Sequence, residues 1–536
     1  MVDGRGAYVR SALVPCLLLA ALGFVMSLQV AVAMAPLRQA DERAHAGYAI
    51  VLAEGHLPTI DSRIPYDPGR YPGLSDSMFG KDLAHRDIWT ANHPPLYYAL
   101  SVPLVYLGDA IGHPGATLLG MRALNGFGFA ATVLLVGLLA RELLPRRPAV
   151  AVVSSAVALS AGSMTFLGGA IYNDGLANAA AFLTLLAGLR MVRGGISRPW
   201  LVTAVASGVA AAALRSTGLV AVAVTCAAVL VAAYLRDRSR RGLLRGLVLG
   251  AGPGVAAAVA IGWFYVRNLR LYGDLTASDA LFAKFQRTPN GSTLHVLTDP
   301  SFYRLQIGSL WTDDDIPNHW GVLGALLMGL TAVGLVVLAR RRDLGVPAGA
   351  GSDPERLRSR AAWVLVGVHS AIVLVSVAGF IAGGGWIHAR YAVPLLPLLC
   401  PATSLALLTL GRLVLARLRR LDHGPVTVRG VALTDLRIAL PATIALLGLG
   451  LLCHFDTERT VDGPVHSVAG AGVIVVADLC VAAVAVLVVR ALGRRMRPDP
   501  ALVDDWLPAR TPLGTPSALP VDSQAGHPLR SRKIGS

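Results

Sequence analysis

Residues Ser11–Ala35 read SALVPCLLLAALGFVMSLQVAVAMA, 25 positions without an acidic or basic side chain. As a helix at 1.5 Å per residue such a run is about 37 Å long, more than the roughly 30 Å of hydrocarbon in a bilayer. Similar runs recur at Val150–Ile171, Trp320–Leu338 and Ala361–Ile381. They are continuous Ala, Val, Leu and Gly, without the two-residue alternation of a β-barrel strand. Of 536 residues, 54% are hydrophobic and 15% charged, with a mean hydropathy of +0.58. A soluble domain carries about 25% charged residues. The fold class is therefore all-α, a polytopic membrane protein.

The formal charge of +16 does not point to nucleic acid, because the arginines stand in short clusters between apolar runs and form no folded basic face. The five cysteines fall within or beside apolar runs at no metal-ligand spacing, and read as small buried hydrophobes. Arg5, Arg10 and the apolar run after them resemble a signal peptide, but the run is longer than an h-region, which favours an uncleaved anchor.

Cytoplasmic loops are enriched in Arg and Lys, so the clusters give orientation. They stand around Arg141, Arg190, Arg236–Arg245, Arg340–Arg342, Arg356–Arg360, Arg412–Arg420 and Arg494–Arg497. The opposite loops, around Tyr172–Asn178, Gly383–Trp386 and Asp456–His466, are nearly free of them. If Pro94–Ile111 crossed the bilayer, every later cluster would move outside. It is expected instead to lie on or dip into the outer leaflet, with Pro94 and Pro95 opening its first turn. The remaining spans are 12–34, 120–140, 149–171, 175–192, 199–214, 216–235, 246–266, 319–339, 361–382, 391–411, 436–453 and 468–489, about twelve, with both termini cytoplasmic. Two outward loops, 36–120 and 267–318, far exceed the roughly 2–8 residues of a helix connection. Function is expected there. No hydropathy repeat of the kind found in many transporters is visible, and residues 497–536, rich in Pro, Ser, Gly and Arg, read as a disordered cytoplasmic tail.

The first outer loop opens Ala40-Asp41-Glu42-Arg43-Ala44-His45. A helix beginning here has Asp41 at its N-cap position, with Glu42 and His45 three apart on one face. An acidic pair at the mouth of a membrane domain is placed either to cap a helix or to meet a lipid headgroup and an aqueous substrate together. Further on, Asn92-His93-Pro94-Pro95-Leu96-Tyr97-Tyr98 presents Asn92 and His93 just before an apolar helix. Asp174 follows Tyr172-Asn173 at the outer end of a span, and Arg215 sits between two spans, where arginine binds phosphate or snorkels to the surface. Asp313-Asp314-Asp315 with His319 has metal-ligand residue types, although such a run is usually solvated. Asp478 is an ionisable residue near the middle of the last span, a position that calls for a partner or a function.

An Asp-Glu-x-x-His box after the first span, followed by His-Pro-Pro-Leu, resembles the protein O-mannosyltransferases and their bacterial relatives that use polyprenyl-phosphate sugars. The aminoarabinose transferases of lipid A belong to the same GT-C group. Tyr172-Asn173-Asp174-Gly175, Trp263-Phe264-Tyr265-Val266-Arg267-Asn268 leading to Tyr272-Gly273-Asp274, and Arg390-Tyr391 followed by Pro394 and Pro397 agree in order and in their shared face. The likeness covers most of residues 12–415. The chain departs from the eukaryotic members at Tyr98, where they carry a lysine shortly after His-Pro-Pro-Leu.

The resemblance implies a GT-C-like catalytic domain over residues 1–415, additional membrane helices over 416–496, and interfacial helices in the first outer loop. It implies a cell-membrane glycosyltransferase that moves a sugar, with inversion, from a polyprenyl-phosphate carrier to a cell-envelope glycan, lipid or protein on the outer face. Asp41 matches the general base of that chemistry, and Glu42 orients the acceptor or helps hold a divalent cation. Arg390, Arg267 and Arg215 are the groups to meet the phosphate of the leaving lipid. His45, Asn92, His93, Asp174 and Tyr391 complete the expected substrate site. The competing reading is a transporter or flippase of a lipid-linked or small anionic solute.

Overall fold

The computed structural model describes residues 4–35, 37, 41–65, 87–145, 147–311, 321–340, 354–419, 428–461 and 470–496. Among these residues nine helices are long and apolar enough to cross a membrane, including Ala12–Ala33, Gly115–Leu143, Asp174–Gly194 and Ala389–Leu415. Two shorter apolar helices, Arg198–Leu214 and Gly324–Arg340, lie on expected spans as well. Among the described residues no strand forms; one bridge pairs Arg63 with Asp87.

One expected span is broken. Residues 149–171 form Pro148–Ser160 and Gly162–Gly168, bent by 66° at Ala161. Ser160, Gly162 and Ser163 flank the bend, and Gly/Ser pairs are a common cause of kinks. The break is closed from inside: Asn125 Nδ2 donates to Leu167 O at 2.7 Å and Ala170 O at 2.9 Å, and Ser163 Oγ donates to Leu310 O at 2.6 Å. At the bend itself Ser160 Oγ donates to Val157 O at 2.8 Å and Ala161 N to Ala158 O at 3.3 Å, so carbonyls there find partners without water, as a membrane interior requires.

The helix expected over 246–266 runs further, from Arg240 to Tyr272, because charged turns continue it at both ends beyond the apolar stretch. Leu96–Ala110 is a 15-residue helix, only about 22 Å long and too short to cross hydrocarbon. That fits the expectation that this segment stays on one side. It packs on Glu42–Ala53 and on Pro114–Leu143.

Ion pairs separate the two ends of the bundle. At one end Arg190 meets Glu142 at 2.9 Å, Arg193 meets Glu355 at 3.8 Å, and Arg147 and Arg412 meet Asp435 at 2.7 and 3.4 Å. Those are arginines of the clusters that gave the topology. At the other end the two long loops meet: Lys284 bridges Asp61 and Asp87 at 2.7 and 2.8 Å, and Arg267 Nη2 donates to Pro58 O at 2.6 Å. Asp478, unexplained by sequence, accepts from Gln29 Nε2 of the first span at 2.7 Å.

Candidate active site

The helix Glu42–Ala53 begins where the chain leaves the first span. Asp41 holds its N-cap position, but with a helical backbone (φ −87°, ψ −16°) and no capping hydrogen bond. A capping side chain needs an extended backbone from which to reach back to the N2 or N3 amide. The carboxylate turns away instead: Oδ2 lies 2.6 Å from Arg390 Nη1, and Oδ1 accepts from Trp89 Nε1 at 3.2 Å. The capping reading of Asp41 is therefore set aside.

Arg390 is placed by a stretch that cannot run on as α-helix. His388 is extended, its Nδ1 accepts from Arg390 N at 3.2 Å, and the 3-10 turns Ala389–Leu395 lead to Pro394. The guanidinium lies 5.0 Å from the Tyr172 ring and 5.2 Å from the Tyr391 ring, and Nη2 donates to Tyr391 Oη at 3.2 Å. Its Nε is buried and has no hydrogen-bond partner. A second arginine reaches the same tyrosine: Arg215 lies 6.0 Å from the Tyr391 ring, with Nη1 2.6 Å from Asp174 Oδ2 and 3.0 Å from Asn173 Oδ1. Two of the three expected phosphate-binding arginines thus gather around one aromatic side chain.

Asp174 opens the helix Asp174–Gly194, and the start of that helix is set by Asn125 and Gly128. Gly175 N donates to Asn125 Oδ1 at 2.9 Å, while a Cβ on Gly128 would collide with the Gly175 backbone. Only glycine allows the two helices to approach so closely here. That contact brings Tyr172, Asn173 and Asp174 to the arginines.

Aromatic residues wall the site. His45 Nδ1 hydrogen-bonds Tyr98 Oη at 2.9 Å; its ring lies parallel to His93 at 6.0 Å and edge-on to Tyr172 at 5.5 Å. Burial lowers the His45 pKa to about 4, with Arg390 and Arg215 adding to the effect and Asp41 and Asp174 opposing it. Burial also pushes His93 well down and His388 to about 4. All three rings are neutral near pH 7. Burial by itself raises the Asp41 carboxyl, but Arg390, His45 and the Trp89 N–H outweigh it and hold Asp41 well below the usual carboxylate range.

Glu42, one residue on, has a different place. It is fully buried, and Arg122 grips both its oxygens at 2.9 Å through Nε and Nη2, while Ile171 N donates to Oε1 at 2.8 Å. Arg122 Nη1 donates to Ala31 O and Met34 O, and Nη2 also to Ala35 O. All five guanidinium N–H groups are used. Glu42 therefore clamps the end of the first span to two other helices and does not face the site where Asp41 is exposed. Nor does the donor set fit a divalent cation beside it: both oxygens are held by a cation already, and among the described residues no three His, Cys, Asp or Glu side chains converge. Asp313–Asp315 and His319 lie outside the described residues.

Asn92 and Arg267 stand beside the site and hold the loops together. Asn92 Nδ2 donates to Thr276 O at 2.9 Å, and Asn92 O accepts from Asn268 Nδ2 at 3.0 Å. Arg267 is spent on Pro58 O and the Phe264 ring at 5.7 Å, although its Nη1 has no partner. Arg122, Trp89, Asn125 and His388 were not singled out by their sequence context. Arg122 carried a signal, an ionisable residue just inside a span; Trp89 and His388 carried none beyond nearness to His93 and Arg390.

Comparison with known proteins gives a family match. The model of a family described as "Predicted membrane protein (DUF2142)" matches residues 74–399. No curated protein matches the chain. Among solved structures, ArnT from Cupriavidus metallidurans bound to undecaprenyl phosphate is similar at 18% identity and a TM-score of 0.44, over 89% of this chain and 77% of that one. The archaeal oligosaccharyltransferase AglB from Archaeoglobus fulgidus, in complex with an inhibitory peptide and a dolichol-phosphate, is similar at 13% identity and a TM-score of 0.42, over 83% of this chain and 56% of that one. At such scores neither likeness assigns an activity.

Proposed function

The chain belongs to the DUF2142 family of predicted membrane proteins, and we propose that it is a glycosyltransferase taking its sugar from a polyprenyl-phosphate carrier. The acceptor is a cell-envelope glycan, lipid or protein. The observation that carries this reading is the pairing of Asp41 with Arg390 at 2.6 Å, with Arg215 6.0 Å from the same Tyr391 ring. A proton acceptor and two phosphate-binding groups then share one aromatic-walled site at the mouth of the bundle.

The acceptor hydroxyl attacks the anomeric carbon from the face opposite the phosphate. The bond from that carbon to the phosphate oxygen breaks, the hydroxyl proton passes to Asp41, and the lipid phosphate leaves with its added charge on Arg390 and Arg215. Configuration inverts. Tyr172 and Tyr391 exclude water around the guanidiniums, which strengthens their hold on an anion. By the positive-inside rule the arginine-rich end of the bundle is cytoplasmic, and the site is on the outer face.

The broken helix at Ala161 is the feature that best suits the transporter reading, since discontinuous helices line many transport sites. The carbonyls at the break are taken by Ser160 Oγ and Ala161 N, and its residues are buried, so it lines no path. The enzyme reading is tested by mass analysis of envelope glycans and polyprenyl-phosphate sugars in a strain lacking the protein. A lost glycan sugar with accumulation of one polyprenyl-phosphate sugar supports it; unchanged glycans and carriers overturn it.

A further inference from the structure

Two arginines hold the two neighbouring acids, and they hold them by different edges. Arg122 presents Nε and Nη2 to Glu42, the paired edge that matches the two oxygens of an oxyanion. Arg390 meets Asp41 through Nη1 at 2.6 Å. Its Nε has no partner, and its Nη2 contacts only the neutral hydroxyl of Tyr391. The Nε/Nη2 edge, the stronger anion-binding edge of the side chain, thus has no acid on it, in a group that is 13% exposed beside an Asp41 that is 23% exposed. Arg215 approaches the same tyrosine, with its own charge paired to Asp174 at 2.6 Å.

Asp41 as it stands is a poor base. Oδ2 lies against the Arg390 guanidinium and Oδ1 accepts from Trp89, so the charge a proton would neutralise is already stabilised by a cation and an N–H. We propose that Arg390 is shared between Asp41 and the phosphate of the lipid carrier, so that phosphate taken on the unpartnered edge loosens the guanidinium from Asp41 and frees it as the base. This rests on the transferase reading and adds an order to it: carrier first, acceptor second. The carrier's phosphodiester carries one negative charge, which draws the guanidinium toward its own oxygens, and the carboxylate, left with less opposing charge, gains basicity. An acceptor hydroxyl arriving without a carrier then finds no competent base.

Two anions that draw on one cation oppose each other, and such coupling is reciprocal. If phosphate weakens the hold on Asp41, the charge of Asp41 must weaken the hold on phosphate. The probe is undecaprenyl phosphate without a sugar, titrated calorimetrically into the purified full-length protein in detergent. Asp41→Asn is expected to bind it roughly 5- to 30-fold more tightly than wild type. Asp41→Ala gives the same gain should the asparagine variant fold poorly, and Asp41→Glu, which keeps the charge, binds like wild type. In Asp41→Asn combined with Arg390→Gln the gain disappears. Equal or weaker binding by both neutral variants overturns the proposal, as does a gain that survives in the double variant. The transferase reading fails separately, by unchanged glycans in the deletion strain, whatever these affinities are.

Discussion

Asp41 and Glu42 are neighbours in sequence, each paired with an arginine from a distant helix, and their surroundings are opposite. Glu42 and Arg122 are 0% and 1% exposed, with both oxygens and all five N–H groups engaged. Asp41 and Arg390 make one contact at a partly open position, and Arg390 keeps an unpartnered Nε. Consecutive helical side chains point about 100° apart. One acid is thus turned into the helix bundle and the other toward the cleft between the loops. A closed pair has nothing left to offer a ligand and serves to stitch helices together. An open pair can exchange partners, and that is what chemistry at an acid requires.

The contrast breaks most sharply in stability. Glu42→Gln leaves the Arg122 guanidinium buried without a counter-charge, and removing one partner of a buried pair costs about 3–5 kcal/mol. Asp41→Asn disturbs a partly exposed pair whose guanidinium keeps its Tyr391 contact, and is expected to cost less. Thermal unfolding in detergent should separate the two variants clearly. Equal melting temperatures would mean that the pairs are not different in kind.

The next largest effect is on pH dependence. The His45 pKa of about 4 lies below the usual 6.5. As pH falls through that interval the unfolded chain takes up a proton that the folded chain refuses, so stability is full above 6.5 and is lost toward 4. The loss is at most about 3 kcal/mol. His93 and His388, also shifted down, contribute with the same sign, and the depressed Asp41 adds its own loss only below about pH 4. His45→Gln should flatten the curve of unfolding free energy against pH by about one proton between 4 and 6.5; an unchanged slope would show that His45 is not held neutral.

Smaller again is Arg390→Lys, which keeps the charge but loses the planar edge for two phosphate oxygens. Affinity for undecaprenyl phosphate should fall about tenfold. Smallest is Asn92→Ala, which removes the hydrogen bond from the first loop to Thr276 O and should cost about 1 kcal/mol with little change in carrier affinity.

The membrane spans were legible because a charge-free run long enough to cross hydrocarbon exposes too much apolar surface to be kept in water. Arginine placement predicted a non-crossing Pro94–Ile111, and the helix there, Leu96–Ala110, has only 15 residues. The break at Ala161 was hidden, although Ser160-Ala161-Gly162-Ser163 carries the small polar signature of a kink, because hydropathy averages over it. The acids were found, but their fates were not separable: nothing in Asp41-Glu42 says which faces the bundle until their partners are known. Those partners, Arg122 and Arg390, lie far along the chain. Arginine was informative at loop positions and easy to overlook inside a span, which is where Arg122 ties Glu42 and the end of the first span to its own helix.

Everything above turns on Asp41 as the base and Glu42 as the scaffold. Turnover of Asp41→Asn, measured in purified, detergent-solubilised protein with a defined polyprenyl-phosphate sugar and acceptor, tests this most directly. The variant keeps its size and its fold but loses the oxygen that takes the proton. A fall of roughly 10²–10⁴ in turnover is expected, together with the tighter carrier binding described above, so that a lost base cannot be mistaken for a lost donor site. Near-wild-type transfer by that variant would contradict the assignment.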